Sequence, residues 1–320
     1  MKTKSSFRDA LSEALISAGS ELESMVVLTP DLAKSVRIMD FRNKFPERFI
    51  NTGISEADMI GVAAGLTTTG LIPVVVGFSM FVAEKPFEQI RNIIAYPNLN
   101  IKIIATHSGI CVGRDGATHQ AIEDMAIMRV LPNFTVLAAA DAQETKAAIK
   151  AALQHHGPVY LRLGRDEAVP IYDDDKEFII GKSDRLQEGN DIALIACGIM
   201  VNNAMDAAKQ LRQEGINARV INAYSIKPLD EAAVIAAAKE TGAIVTIEDH
   251  LRVGGLGSAV AELLVKSCPI PMETIGVDDM FGESGSSNEL FKKYGLTVEN
   301  IMQSSRKVLQ RKIYAKKREC

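Results

Sequence analysis

The feature that most constrains this chain is a rhythm, in which short β-branched runs are separated by stretches with helical spacing. The runs are MVVL near residue 25, IPVVVG near 72, IKIIAT near 101, FTVLAA near 134 and VYLRL near 159, apolar almost throughout. Strands apolar on both faces need cover on both faces, and the intervening helical segments supply it, so the pattern predicts a mostly parallel sheet layered between helices. A polar stretch, YDDDKEFIIGKSDRLQEGND, interrupts the rhythm over residues 172–191. The rhythm resumes with DIALIAC, a helical pattern over 201–214, NARVINA, another over 230–240, AIVTIED and GGLGSAVAELLVK. The fold class expected is α/β, as two doubly wound domains over residues 1–175 and 191–320, with 176–190 as linker and the second domain the smaller.

Hydrophobic residues fill 47% of the 320 positions, enough for two cores and too many for a disordered or fibrous chain. No apolar run approaches the roughly 18 residues of a membrane span. The start, MKTKSSFRDALSEAL, enters a helical pattern without a signal peptide's apolar centre, so a cytoplasmic location away from membranes is expected. A net charge of -4, with 36 basic and 40 acidic residues mixed along the chain, argues against a broad nucleic-acid-binding face. The basic tail RKVLQRKIYAKKREC is expected to be a solvated helical end. Cys111, Cys197, Cys268 and Cys320 are scattered without CxxC spacing, which suits reduced thiols.

In open α/β sheets ligands gather beyond the carboxyl ends of strands. Three segments there carry groups capable of chemistry. In TGISEADMIGVAAGLTTTG, Ser55 is placed to cap a helix and Glu56 falls in its first turn. Either Glu56 complements the helix dipole, or it is a carboxyl held in a small-residue interface where it shares a proton with a ligand nitrogen. In GFSMF, Phe78 and Phe81 are core residues or a stacking platform for a flat heteroaromatic ring. The segment THSGICVGRDGATHQAIED concentrates His107, Asp115 and His119, two of the chain's five histidines among them. That density at a strand end suits proton handling, whereas a metal reading lacks an HExxH pair or cysteine support. Arg8, Ser35 and Arg165 are placed at element ends where a guanidinium fork can grip phosphate.

Taken in order, FRDALSEAL, PDLAKS, GISEADMIGVAAGL, GFSMF, HSGICVGRDGATHQAIED, RVLPN and GPVYLRLGR resemble the C-terminal half of transketolase. The resemblance spans essentially the whole chain, since TIEDH and GGLGSA are similar to that family's third domain. The GISE helix is shared with the β subunits of 2-oxoacid dehydrogenases and with deoxyxylulose phosphate synthases. A histidine at position 107 before GxDGxTHQ is the feature that those synthases lack.

The resemblance implies that Glu56 hydrogen-bonds the N1′ nitrogen of thiamine diphosphate and that Phe78 and Phe81 flank its pyrimidine. It implies that His107 and His119 contact the sugar's reacting hydroxyl and carbonyl groups, and that Asp115 recognises a hydroxyl. Arg8, Ser35, Arg165 and His107 would receive the sugar phosphate, with Glu56, His107 and His119 as the catalytic set. Three departures stand out: Glu84 replaces a third aromatic, Ser108 an aspartate and Arg114 an acid, the last two where they would tune the sugar accepted.

The family's diphosphate-binding GDG motif with its later Asn does not occur in the 320 residues, and GRDG at 113–116 is a different loop. The resemblance therefore implies an N-terminal transketolase subunit as partner, which would hold Mg2+ or Ca2+, in an α2β2 assembly with a β–β two-fold contact. The reaction implied is transfer of a two-carbon ketol unit from a ketose phosphate to an aldose phosphate. The alternatives are a dehydrogenase β subunit or deoxyxylulose-phosphate-synthase-like enzyme, and a non-catalytic regulatory or scaffold subunit.

Overall fold

The computed structural model describes residues 3–165, 167–173 and 176–318, so Cys320 and part of the 172–191 stretch lie outside the described residues. Its strands in chain order are β1 Ser5–Ser6, β2 Met25–Thr29, β3 Phe49–Asn51, β4 Ile72–Phe78, β5 Lys102–Thr106, β6 Thr135–Ala138 and β7 Val159–Arg162. They continue with β8 Glu167–Ala168, β9 Asp184–Gln187, β10 Ile192–Ala196, β11 Ala218–Asn222, β12 Ser225–Lys227, β13 Ile244–Leu251 and β14 Met272–Val277. The main sheet runs β12-β6-β7-β5-β4-β2-β3, and the second runs β14-β13-β10-β11-β9. Every pairing in the two sheets is parallel except those of β12 and β9 at the edges. The small strands β1 and β8 pair with each other alone.

Each predicted apolar run is a strand. The central ones are buried along their whole length, as strands covered by helices on both faces must be. The boundary between domains is less simple than the polar stretch suggests. The segment 176–190 contains β9, which pairs with β11, and β12 crosses back to the edge of the main sheet. One apolar cluster runs from Val75, Ile103 and Val136 into Ile195, Ile221 and Leu256, so the two sheets share core.

Beneath the main sheet's carboxyl end lies a buried strut. Arg162 projects from β7 and binds Asp124 through Nε at 2.8 and 3.1 Å, while Tyr160 donates to Asp124 at 2.7 Å. Removing one partner of such a pair strands a buried charge at a cost of about 3–5 kcal/mol. The last helix, Val298–Arg318, is fastened rather than free at its described basic positions: Arg306 pairs with Glu214, and Lys307 and Arg311 with Glu273. Among the described residues no helix is long and apolar enough to cross a membrane.

Candidate active site

Three loops leave adjacent strands together. Phe78 ends β4 and Thr106 ends β5 as register partners, and β7 pairs with β5 through Arg162 and Ala105. The segments GFSMF, THSGICVGRDGATHQ and LGR therefore emerge side by side. After Phe78 the chain makes the π-helical turn Met80–Glu84, a wide turn of the kind that accumulates at functional sites.

The aromatic and imidazole rings form one continuous wall. His107 stacks on Phe78 with centroids 3.7 Å apart at 26°, Phe78 lies against Phe81 at 6.0 Å and 18°, and Phe81 meets His119 edge-on at 5.2 Å. His107 adopts a left-handed backbone, φ 56°, a conformation that a bulky residue keeps only when its surroundings hold it. Thr106 does part of this: its hydroxyl donates to the Gly77 carbonyl at 3.2 Å and so accepts from His107 Nδ1 at 2.9 Å. Nδ1 then carries the hydrogen, and Nε2 keeps its lone pair with no hydrogen-bond partner among the described residues. Burial, and secondarily the charges of Arg8, Arg165 and His119, push His107 down to about 3. It is a neutral imidazole at working pH, with Nε2 open to accept a hydrogen bond.

The expected phosphate grips sit at the His107 end, close enough for both guanidiniums to act on its charge. Arg8 donates to the Ser35 carbonyl at 3.1 Å, so Ser35 holds Arg8 through its backbone. Arg165 pairs with Asp115 at 3.7 Å and also donates to the Val112 carbonyl. His119 is half-buried, and its Nδ1 lies 3.0 Å from the Thr118 hydroxyl.

Glu56 opens the helix Glu56–Thr67 and is only 3% exposed. Its Oε2 lies 2.6 Å from the ammonium of Lys85, a residue that sequence reasoning missed because a lone lysine at a turn carries no signal. Ser55 does not cap this helix with its side chain, since its hydroxyl donates to the Thr52 carbonyl at 2.7 Å instead.

Two of the departures turn inward. Ser108 is 1% exposed and its hydroxyl bonds Ser79, which Tyr160 joins at 3.1 Å. It therefore belongs to the buried polar network, not to the surface where a sugar would lie. Glu84 is half-buried, and one of its carboxyl oxygens is buried without a hydrogen-bond partner. Burial, then the charges of Glu123 and Asp124, push it up to about 9, so it is a neutral acid at pH 7. Arg114 is exposed, with its carbonyl accepting from Ser284 at 2.6 Å.

These residues suit one end of a thiamine cofactor: a buried carboxylate whose observed partner is a half-exposed, flexible lysine, beside an apolar aromatic wall. Residues 3–169 match the family described as transketolase, pyrimidine binding domain, and residues 181–301 that described as transketolase, C-terminal domain. This chain belongs to the transketolase family. It is 45% identical over 297 residues to the "Putative transketolase C-terminal section" of Methanocaldococcus jannaschii, covering 92% of this chain and 93% of that protein. It is 41% identical to the "6-deoxy-6-sulfo-D-fructose transketolase subunit SqwH" of Clostridium sp., covering 95% of each. Identity to an apulose-4-phosphate transketolase subunit of Phocaeicola vulgatus is 37%, covering 93% and 96%. A solved structure described as "Split gene transketolase, inactive beta4 tetramer" superposes with a TM-score of 0.89 at 47% identity, over 96% of this chain and 99% of that one. The Campylobacter jejuni transketolase shares the fold at a TM-score of 0.79 and 24% identity, and there the match covers only 46% of the longer transketolase chain. The chain thus corresponds to the C-terminal half of a transketolase, and the family implies dependence on thiamine diphosphate.

Proposed function

We propose that this chain is the C-terminal subunit of a split transketolase that transfers a two-carbon ketol unit from a ketose phosphate to an aldose phosphate. The observation that carries the reading is the single wall joining Phe78 and Phe81 to His107 and His119, with Arg8 and Arg165 at its His107 end. It puts the residues suited to a cofactor ring and those suited to a phosphorylated sugar on one surface.

Bound thiamine diphosphate supplies the nucleophilic carbon for attack on the ketose carbonyl. Glu56 would hold the ring at its N1′ nitrogen through a proton carried by the carboxyl group, and Lys85 would give up its contact with that group as the proton is taken up. Phe78 and Phe81 pack the pyrimidine and exclude water. Neutral His107 accepts a sugar hydroxyl at Nε2, and His119 orients the reacting oxygens from the other end of the wall. Arg8, positioned by the Ser35 carbonyl, and Arg165 receive the phosphate, while Asp115, paired with Arg165, takes a further hydroxyl.

The diphosphate and a Mg2+ or Ca2+ ion fall to an N-terminal partner subunit in this reading. The relatives named as subunits support it, as does the description of a β-only tetramer as inactive, which is what half a site would produce. The same reading takes the assembly to be α2β2 and cytoplasmic, with its β–β contact at the Glu56 helix, where the open space over Gly61 and Gly65, with nothing within 4 Å of an added Cβ, leaves room for close approach. The relatives' names point to unusual sugars as well as ordinary ones, so the donor is a matter for assay.

The test is to co-purify the chain with its partner and assay xylulose 5-phosphate with ribose 5-phosphate beside pyruvate with glyceraldehyde 3-phosphate, extending the donor panel to other ketose phosphates. Cofactor-dependent ketol transfer by the pair, and not by the chain alone, is the expected result. Turnover of pyruvate alone would favour the synthase-like reading, and no turnover of any donor the scaffold reading.

A further inference from the structure

We infer that Asp249, in the second domain, is a positioning residue that fixes the backbone between His107 and His119. The inference rests on the sugar-handling role proposed for those two histidines.

The ends of the loop meet in a bridge between Ser108 and Ala121, with the Gly109 N–H donating to the Ala121 carbonyl at 2.8 Å. Between them run the short 3-10 turns Ile110–Asp115 and Ala117–His119, with left-handed glycines at 109, 113 and 116. Asp249 adds a hold on this stretch from the second domain. Its Oδ1 accepts from the Ile110 N–H at 2.9 Å and its Oδ2 from the Cys111 N–H at 3.3 Å, across 139 and 138 positions of sequence. The carboxylate is 1% exposed. Contact is close enough that a Cβ on Gly109 would fall 2.3 Å from Oδ2, so only glycine fits there.

Asp249 is itself anchored. Its carbonyl accepts from Arg162 Nη2 at 2.7 Å, and the same guanidinium holds Asp124. Its neighbours in TIEDH complete the joint: Glu248 accepts from Leu256 and Gly257 in its own domain, and His250 Nε2 accepts from Ala126 N–H of the first domain at 3.3 Å. The second domain also grips the same loop through Ser287, whose hydroxyl donates to the Cys111 carbonyl at 3.0 Å, and through the Glu283 carbonyl, which accepts from Gln120 at 2.9 Å. A carboxylate bridging two adjacent N–H groups is a stronger clamp than a neutral acceptor. Displacement of catalytic groups by about 1 Å costs on the order of 100-fold in rate.

The experiment uses Asp249→Asn in the assembled two-chain enzyme, with Val308→Ala as a variant that trims the second domain's core in the helix Val298–Arg318. Asp249→Asn is expected to lower kcat/KM for the ketose phosphate about 10- to 100-fold, while half-saturation by thiamine diphosphate stays within about twofold. Amide exchange over residues 107–119 is expected to speed up with the remainder unchanged. Val308→Ala is expected to change neither. Wild-type kinetics and exchange for Asp249→Asn would overturn the clamp, as would equal losses in Val308→Ala. His119→Ala is run in parallel: a wild-type rate there would remove the sugar-handling reading itself, whereas a large loss there beside a wild-type Asp249→Asn removes only the clamp.

Discussion

The two domains end a central strand with the same kinds of residue and employ them differently. Beyond β5 lie His107, Asp115 and His119, and at the end of β13 lie Glu248, Asp249 and His250. Burial separates the exposed Asp115 and half-buried His119 from the buried trio on β13, but it does not separate His107 from His250, which are 2% and 0% exposed and which burial pushes down to about 3 and about 4. Bonding does. Both His250 nitrogens are engaged with backbone, at the Leu251 carbonyl and the Ala126 N–H, and both Glu248 oxygens hold backbone N–H groups. His107 has one nitrogen on Thr106 and the other unengaged among the described residues, with its ring face on Phe78. A cluster of titratable groups at a strand end is a ligand site when its polar atoms are left for something else, and a structural joint when backbone has already claimed them.

The contrast breaks most visibly at Glu56. Its observed partner is Lys85, a side chain able to swing into solvent, so it belongs with the unclaimed group. Glu56→Gln in the assembled enzyme is expected to cut turnover by about 100- to 10,000-fold, the size of an acid–base contribution, with an unchanged melting temperature. An undiminished rate would return Glu56 to the role of a helix-dipole residue. The complementary experiment is Glu248→Gln. It weakens two bonds of 2.7 and 2.8 Å at the start of the helix Leu256–Ser267 and is expected to cost about 1–3 kcal/mol in denaturant unfolding. Cofactor half-saturation should not move. If it shifted while stability held, the second domain's cluster would be functional and the distinction wrong.

The sequence carried the strands and the names of the site residues further than it carried their support. The central strands are legible because burial on both faces writes a continuous apolar run, as in IKIIAT. The edge strands β9 and β12 are short and polar, DRLQ and SIK, and take their conformation from a neighbour found far along the chain, which no local pattern records. The residues proposed for the site were legible as motif members. The inward turn of Ser108, the grip of Lys85 on Glu56 and the hold of Asp249 on residues 110–111 all depend on contacts 29 or more positions apart. The glycines of GGLGS have a steric reason that only the folded chain displays, because a Cβ on Gly255 would sit 2.1 Å from the Glu248 carboxylate.

Glu84 offers the smallest and sharpest test of the same distinction, since it is a half-buried acid with one buried, unclaimed oxygen and acidic neighbours. Its ordinary value of 4.5 is pushed up to about 9 by burial first, then by Glu123 and Asp124, against the opposing pull of Arg162. Between those two values the folded chain keeps a proton that the unfolded chain has released. Stability from this group is therefore complete below about pH 4.5 and declines as pH rises towards 9. Glu84→Gln has a similar shape and no proton to lose, so its stability should be close to that of the wild type at pH 5 and exceed it at pH 8.5. The gain should be about 1–3 kcal/mol, discounted for the water that still reaches part of the side chain. Denaturant unfolding of both proteins at the two pH values measures it. A difference that fails to widen with pH would mean that Glu84 is ionised in the folded chain and has a partner, which would place it with the joint at β13 and not with His107.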